Sequence, residues 1–228
     1  KNRPEQGAVA YMDYGQHLAV STFPSYRALA KAYDARATVE VTPAISALAN
    51  QLTANLPTPR AKALVLSDWV RRNIRYVAVY INAGGVVPHA AQSVLDNRYG
   101  DCKDHVALLE ALLKAVAIES TPALISYGSA YTLPKVAALS PINHAITYIP
   151  SLDLFLDSTA IGTAAGYLPN PDLDKPVLLT HTGEMGHTPA SQAGKESNEL
   201  VFKVDDSGTA DFTLAKRLEG WRAEFARA

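Results

Sequence analysis

Apolar residues recur at helical spacing along much of the first half of the chain. The spacing predicts helices after Pro24, after Thr42-Pro43 and over residues 60–74, and a shorter helix over residues 90–95. Thr42 suits an N-cap because its hydroxyl can accept a hydrogen bond from a free backbone N–H, and proline is well tolerated at the first helical position. The first hundred residues are therefore predicted to be mainly helical.

Short apolar runs, some of them alternating with polar residues, predict strands elsewhere. These runs cover residues 18–23, 75–81, 122–127, 142–149, 152–156 and 177–179. Further strands are predicted from residue 199 onward, on either side of a turn at Asp206-Ser207-Gly208. The segments 142–149 and 152–156 are close enough in sequence to form an antiparallel hairpin. The last residues, 221–228, resemble the start of another helix.

Composition and charge indicate an ordinary globular protein and remove several functional classes. The 228 residues are 48% hydrophobic and carry a formal net charge of −1, without the basic stripe of a nucleic-acid-binding protein. No apolar run approaches the roughly 18 residues of a membrane span. The single cysteine excludes an internal disulfide and a metal site built from several cysteines. Residues 1–7 have no signal-peptide pattern, but we expect a piece of a longer protein, so the compartment stays open.

The single cysteine, Cys102, stands at the predicted start of a long buried helix. Apolar residues continue the helical spacing over residues 106–116. Asp101 is a good N-cap residue, Asp104 occupies a capping-box position, and Gly100 permits a sharp entry. Cys102 therefore falls in the first turn, where free N–H groups and the helix dipole favour a thiolate and could bind an oxyanion.

A small buried core residue is the alternative interpretation of Cys102, and it accounts for many single cysteines. The polar neighbours Asp101 and Lys103, and the position ahead of the apolar stripe, favour a functional role instead. A cysteine nucleophile needs a histidine to accept its proton, and a carboxylate or amide to orient that histidine.

Six histidines are available as the base. His105 lies on the same helix as Cys102, and we expect its ring to point along the helix rather than across a cleft. His89 follows a proline in a loop, which is more typical of a structural or capping residue. Three others have no chemical companions in sequence: His17, His181 and His187. The run HTGEMGH has a spacing unlike zinc motifs, so no metal site is predicted there.

His144 lies in the first strand of the predicted hairpin, and Asp157 directly follows the second. A symmetric turn about Pro150-Ser151 would place the two residues opposite each other. A four-residue loop over residues 150–153 is more natural, because neither proline nor serine favours the positive φ of a two-residue turn. That loop makes His144 and Asp157 diagonal neighbours, about 7–8 Å apart. Either register brings a carboxylate to the imidazole.

Each residue of the hairpin pair also has a structural explanation. His144 could be a satisfied core histidine, and Asp157 could be a turn residue at the end of a strand. The combination of both with Cys102 is much less expected by chance. The residues therefore predict a catalytic triad of Cys102, His144 and Asp157.

Three separated motifs resemble bacterial proteins of the transglutaminase-like superfamily. The segment NRYGDCKDHVALLEALLKAVAIESTPALI is similar to the helix that carries the nucleophile, and NHAITYIPSLDLFLDST is similar to the histidine and aspartate strands. The upstream segment WVRRNIRYVAVYINAGGVVPHAAQSVL resembles the lead-in of these domains. The resemblance covers about residues 57–159. It implies an α+β, papain-like core in which a buried helix with the cysteine at its N-terminus packs on an antiparallel β-sheet.

The resemblance also implies roles for individual residues. Cys102 would be the nucleophile, His144 the general base and acid, and Asp157 the group that orients the histidine. Tyr76 is the candidate for a second oxyanion donor, with packing on a strand face as the alternative. The calcium-binding segments of animal transglutaminases have no counterpart, and neither a cofactor nor a metal is implied.

The flanks resemble, more weakly, bacterial proteins in which this core lies between parts of a β-rich domain of the DUF3857 type. VSTFPSYRALAKAYDARA would end one such part, and the stretch from THTGEMGH to DDSGTADFTL would begin the next. We therefore expect an N-terminal segment over 1–56, a catalytic core over 57–175 and a β-rich C-terminal segment over 176–228. A periplasmic or cell-envelope location is implied by the same resemblance.

The expected function is cysteine-dependent acyl transfer on peptide or amide bonds through a thioester. Hydrolysis, as in a peptidase or amidase, is favoured over crosslinking, although the same triad serves both. One alternative is a peptide-binding or scaffold module that retains the fold with little chemistry. Another is a metal or redox site, which a single cysteine and the histidine spacing disfavour. The expected partner is a peptide or protein substrate, bound in a cleft lined by residues 126–141 and 81–89, and the oligomeric state is left open.

Overall fold

The computed structural model describes residues 10–78 and 85–226. The helices are α1 (Tyr11–Tyr14), α2 (Tyr26–Asp34), α3 (Pro43–Thr53), α4 (Pro59–Asn73), α5 (Ala91–Asn97), α6 (Cys102–Ala115) and α7 (Trp221–Phe225). The strands are β1 (Arg75–Tyr76), β2 (Tyr99–Gly100), β3 (Thr121–Ile125), β4 (His144–Ile149), β5 (Leu154–Leu156), β6 (Pro176–Leu179), β7 (Met185–His187), β8 (Gly194–Val204) and β9 (Ala210–Gly220). The predicted α+β class is confirmed. None of the helices in these ranges has the length and apolar character needed to cross a membrane.

Three of the helices begin at a side-chain cap. Ser25, Thr42 and Thr58 each accept a hydrogen bond from a backbone N–H three residues further on, at 3.2, 3.3 and 3.2 Å. Pro43 and Pro59 follow two of these caps and occupy the start of α3 and α4. The predicted N-cap at Thr42 is thereby confirmed, and the caps fix where the helices of this layer begin.

The central sheet is antiparallel and has the strand order β5-β4-β3-β6-β7. β4, which starts at His144, pairs along its length with β3 and also with β5. β1 and β2 form a separate parallel pair just before α6, with Tyr76 aligned to Gly100. This pair ends next to Cys102, so it brings the lead-in segment to the start of the helix.

The β4–β5 hairpin adopts the second of the two predicted registers. Ile149 pairs with Leu154, which leaves the four residues 150–153 in the turn. Pro150–Leu152 form one turn of 3-10 helix, and Asp153 closes it in the left-handed region with a φ of 43°. The pairing of Thr147 with Leu156 places Asp157 just beyond the end of the ladder and diagonal to His144.

Both faces of the central sheet are covered. On one face, α2 and α6 pack against a buried cluster to which the strands contribute Leu124, Ala145 and Leu178. On the other face, Leu168 from the long loop after β5 packs against Ala123, Ile125, Ile146, Val177 and Leu179. The long loop therefore acts as a second layer on the sheet, although it contains only one short 3-10 helix, Asn170–Asp172.

Helix α6 lies at the centre of the molecule. All eleven residues from Lys103 to Leu113 are buried, and the apolar ones also join the cluster formed with α3, α4 and α5. A helix with apolar contacts around so much of its circumference is typical of a core helix rather than a surface helix. The predicted buried helix with Cys102 in its first turn is confirmed.

Two strand predictions differ from the structure. Residues 18–23 form no strand, and Leu18 and Val20 are 89% and 79% exposed; none of the strands within residues 10–78 and 85–226 pairs with this segment to complete a ladder. The strand predicted over 75–81 is confirmed only for Arg75–Tyr76; residues 79–81 lie outside the described ranges.

β8 and β9 form a long two-stranded hairpin apart from the central sheet. Nearly all of its residues are exposed, including Phe202 and Phe212, whose rings are 6.1 Å apart. β6 and β7 also lie C-terminal to residue 175, yet they belong to the central sheet. The division of the chain into three segments stays a prediction.

Truncation of a central residue of α6 tests the importance of this helix for the fold. We expect Leu112→Ala to lower the free energy of unfolding by about 2–5 kcal/mol, because Leu112 is fully buried and the substitution leaves a cavity. Urea denaturation followed by circular dichroism measures the change. Leu200→Ala on the exposed face of β8 is the matched control, with an expected change within about 0.5 kcal/mol. A small effect at position 112 would contradict the central role of α6.

Candidate active site

The start of α6 explains how a cysteine can be both near the core and reachable. Cys102 is the first helical residue and is half-buried. The backbone turns sharply at Gly100, where an added Cβ would lie 2.5 Å from the Cβ of Asp104. Only glycine fits that approach. As the first residue of the helix, Cys102 has a backbone N–H that no helical carbonyl can satisfy.

The carboxylate of Asp104 joins three parts of the site. It accepts a hydrogen bond from the backbone N–H of Asp101 at 3.1 Å, which is the capping contact expected from sequence. It also accepts the backbone N–H of His89 at 2.8 Å, and the His89 ring lies 3.1 Å away. His89 is thus a structural residue that ties the Pro-His loop to the helix start. The Asp101 side chain itself pairs with Lys103, and both are buried.

His144 and Asp157 meet as the hairpin predicts. Nε2 of His144 lies 3.1 Å from Oδ2 of Asp157, and both side chains are buried. The other oxygen of Asp157 accepts hydrogen bonds from the backbone N–H and the hydroxyl of Thr159, at 2.8 and 2.7 Å. Asp157 is therefore held from the chain that follows it and is aimed at the imidazole.

The same contacts set the protonation of the pair. Burial alone would lower the pKa of His144, but hydrogen bonds with Asp157 and Cys102, and the charge of Asp157, raise it well above its usual value. Burial would raise the pKa of Asp157, but the hydrogen bond and charge of His144 bring it down to about 2. The ionised Asp157 therefore stabilises the imidazolium that forms when His144 takes up a proton. Because Nε2 faces Asp157, Nδ1 is the nitrogen left for the thiol.

Asp172 is a second buried acid in this group, and no pattern in the sequence predicts it. It lies in the 3-10 helix of the long loop and is fully buried. Burial and the nearby charge of Asp157 raise the pKa of Asp172 to about 8. The local sequence Asn-Pro-Asp is typical of an exposed turn, so no signal along the chain could have identified it.

His105 is closer to the site than its predicted direction suggests. Its Nδ1 lies 3.0 Å from the carbonyl oxygen of Ser158, next to Asp157. Burial lowers its pKa, although the hydrogen bond to Ser158 acts in the opposite direction. Burial thus favours the neutral form of the His105 ring, which holds the backbone after β5 through its contact with Ser158. The Asp157 carboxylate contacts His144 and not His105.

Cys102 and His144 line the same cleft, and residues from neighbouring helices and loops complete its wall. The other lining residues include Tyr33, Gly85, Val86, Leu139, Ile142 and Asn143. The segments 126–141 and 81–89 both contribute, as predicted, although residues 81–84 lie outside the described ranges. The cleft wall is mainly apolar, apart from the groups around the thiol.

Tyr76 borders a second opening, which also contains His144 and Asp157. Its ring lies 6.0 Å from the ring of His105, and the side chain is 37% exposed. Tyr127, which the sequence analysis does not assign, packs edge-on against His144 with ring centroids 5.4 Å apart. Tyr76 is thus close to the predicted triad, and its role as an oxyanion donor stays a prediction.

His144, Asp157 and Asp172 are also the one group within residues 10–78 and 85–226 with ligand atoms spaced for a metal ion. Three candidate atoms, one from each residue, lie within 4.8 Å of one another. All three side chains are buried, and Nε2 of His144 already contacts Asp157. A hydrogen-bonded histidine–carboxylate pair accounts for this geometry, so we assign no metal site to it.

The remaining histidines lie away from Cys102. His181 lies 3.1 Å from Asp34, at the end of α2, and 3.2 Å from Glu110, in the C-terminal half of α6. His187, in β7, lies 3.7 Å from Asp174. His17 contacts the carbonyl oxygen of Gly15. His181 and His187 thus have separate carboxylate partners.

Removal of the Asp157 carboxylate tests the coupling within the pair. We expect Asp157→Asn to lower the pKa of His144 by about 1–3 pH units, because the raising contributions of Asp157 are lost while burial remains. Histidine-ring NMR signals titrated between pH 5 and 10 measure this. An unchanged His144 titration would contradict the coupling.

Comparison with known proteins supports the assignment of the fold. Residues 46–146 match the family model described as the transglutaminase-like superfamily. No curated protein matches the chain significantly. A candidate protease from Parabacteroides distasonis ATCC 8503 superposes with a TM-score of 0.59, at 18% identity, over 75% of this chain and 32% of that one.

A candidate cysteine protease from Cytophaga hutchinsonii is also similar, with a TM-score of 0.41 at 18% identity over 82% of this chain and 55% of that one. The chain thus spans about a third and about half of the lengths of these two proteins. The DUF3857-type flanks stay a prediction. Residues 46–146 are therefore similar to the transglutaminase-like superfamily, and in the structure they include a cysteine-led helix packed against an antiparallel sheet.

Proposed function

We propose that this protein is a cysteine-dependent acyl-transfer enzyme that acts on peptide or amide bonds, with hydrolysis as its main reaction. The observation that carries the proposal is the hydrogen-bonded pair of His144 and Asp157, with His144 lining the same cleft as Cys102. Such a group supplies a nucleophile, a base and an orienting carboxylate on three separate elements of the fold.

The proposed first step begins with a proton transfer within this group. The proton on Sγ of Cys102 moves to Nδ1 of His144, and the resulting imidazolium is stabilised by Asp157. The thiolate then attacks the carbonyl carbon of the substrate. The backbone N–H of Cys102 donates a hydrogen bond to the oxygen that becomes negative.

The tetrahedral intermediate collapses to a thioester. His144 gives its proton from Nδ1 to the leaving amine as the C–N bond breaks. A water molecule then attacks the thioester, His144 accepts a proton from it, and the C–S bond breaks to release the carboxylic acid and return the proton to the thiolate. A primary amine in place of water would give a crosslink through the same steps.

Two observations favour hydrolysis. The opening beside His144 is bordered by Tyr76, Tyr127 and Thr159, whose side chains are at least partly exposed, so solvent lies at the rim of the opening on this side of the imidazole. The similar structure from Parabacteroides distasonis is described as a candidate protease. A substrate peptide would lie along the apolar cleft that contains Cys102 and Leu139.

Alkylation of Cys102 by iodoacetamide measures how reactive the thiol is without any substrate. We expect a rate at pH 6 that falls at least about tenfold in His144→Ala, because an isolated thiol with a pKa of about 8.5 is almost wholly protonated there. His17→Ala removes an exposed histidine and should leave the rate unchanged. Alkylation that follows an ordinary thiol and ignores His144 would favour the alternative of a binding or scaffold module.

Trapping of the acyl-enzyme identifies the reaction. Incubation with a library of peptide amides, acid quenching and mass spectrometry should show an acyl group on the peptide that contains Cys102. Release of free acid in water, without added amine, would show hydrolysis. Exclusive transfer to an added lysine analogue would show crosslinking and contradict the main proposal.

Tyr76→Phe tests the second oxyanion donor. If its hydroxyl binds the developing oxyanion, the substitution should reduce turnover by about 10²–10³-fold and leave the alkylation rate of Cys102 unchanged. Tyr99→Phe is a matched control, because Tyr99 is also half-exposed and lies on the partner strand β2. Equal turnover in the two variants would assign Tyr76 to packing alone.

A further inference from the structure

The Asp172 carboxyl stands out because it is buried without a partner. Its exposed fraction is 0%, and neither of its oxygens has a hydrogen-bond donor within the described part of the chain. An isolated carboxylate is among the most costly groups to bury, whereas a carboxylic acid needs only one acceptor for its proton. The position therefore accommodates the protonated form of Asp172 better than the anion.

A suitable acceptor lies next to this carboxyl. One carboxyl oxygen of Asp172 is within 4.8 Å of both a ligand atom of Asp157 and a ring nitrogen of His144. Asp157 already accepts hydrogen bonds from Thr159 and faces His144, but two carboxylate oxygens offer about four lone-pair sites. Asp157 therefore has the capacity to accept one more proton donor.

The other charged and titratable groups around Asp172 come from each element packed against it. Tyr127 follows β3, His144 begins β4, Asp157 follows β5, and Lys175 precedes β6. The Lys175 ammonium donates to the backbone carbonyls of Gly128 and Ser129, so its hydrogen bonds are directed away from Asp172.

We propose that Asp172 is a positioning residue that, as a neutral carboxylic acid, donates its proton to Asp157 and holds that carboxylate against His144. The inference rests on the proposed function of the Cys102–His144–Asp157 group. Asp172 does not touch the substrate in this scheme. It supplies a fourth donor to Asp157, in addition to two from Thr159 and one from His144, and so limits the rotation of the carboxylate.

A pH-dependent change at the site follows from this arrangement. When Asp172 loses its proton to solvent, a second negative charge appears beside Asp157, and the two carboxylates repel each other. Since the pKa of Asp172 is raised to about 8, this change falls on the alkaline side of neutrality. The environment of the His144 ring should respond to it.

Three variants distinguish whether the site needs Asp172 as a hydrogen-bond donor or as an anion. Asp172→Asn keeps a donor of the same shape but cannot ionise, and Asp172→Ala removes the donor. We expect the alkylation rate of Cys102 at pH 6 to fall by about tenfold in Asp172→Ala and to be restored to within about twofold in Asp172→Asn. Asp174→Asn, two residues away on the surface, is the control and should match the unaltered protein.

Histidine-ring NMR gives a second readout that needs no substrate. Besides the step from ionisation of the ring itself, the His144 signals of the unaltered protein and of Asp174→Asn should show a second step with a midpoint of about 8, and this second step should be missing in Asp172→Asn. Two steps in Asp172→Asn would overturn the proposal, because a group other than Asp172 would then produce the second one. The comparison remains informative if Asp172→Ala fails to fold, since the asparagine variant is isosteric.

Two alkylation results would also overturn the positioning role. If Asp172→Asn is as slow as Asp172→Ala, the anion and not the donor is required. If both variants react like the unaltered protein, Asp172 does not position Asp157. The proposed function has a separate test, because it would be contradicted if no acyl-enzyme formed on Cys102. In that case the His144 titration would still show whether Asp172 ionises beside the ring.

Discussion

The N-terminus of α6 has to be polar enough to support a reactive thiol and yet packed within the core. Asp104 reconciles these demands, because its carboxylate accepts donors from the helix start at Asp101 and from the loop at His89. The sharp turn at Gly100 brings this carboxylate close to the backbone. The residue at which this helix begins therefore sets both the exposure of Cys102 and the position of the cleft that contains it.

The buried acids around the imidazole show how one fold assigns different charges to similar groups. Asp157 is surrounded by donors from His144 and Thr159, which favour its ionised form. Asp172 is fully buried beside the charge of Asp157, and both conditions favour its protonated form. Two aspartates a few ångströms apart therefore differ in charge because their neighbours differ. The long loop after β5, although mostly irregular, is what places the second acid there.

Local patterns predict the parts of this site that depend on local rules. Cys102 follows an N-cap at the head of an apolar stripe, and the His144–Asp157 contact follows from hairpin counting once a four-residue turn is chosen. Asp172 could not be found in this way, since fourteen residues, most of them irregular, separate it from Asp157. Residues 18–23 have the composition of a strand but no neighbouring strand edge, and strand propensity is mainly a response to such neighbours.

The turn between β4 and β5 constrains the chain in a further respect. Side chains alternate between the two faces of a strand, so the pairing register of β4 and β5 decides which face receives the residue after β5. The present turn of four residues sets the register that directs the Asp157 carboxylate to the imidazole. An inserted residue that the turn absorbs would preserve that direction, whereas a slip of the pairing by one residue would point the carboxylate towards the opposite layer. This surface turn therefore constrains the site through the register that it sets, although none of its residues lines the cleft that contains Cys102.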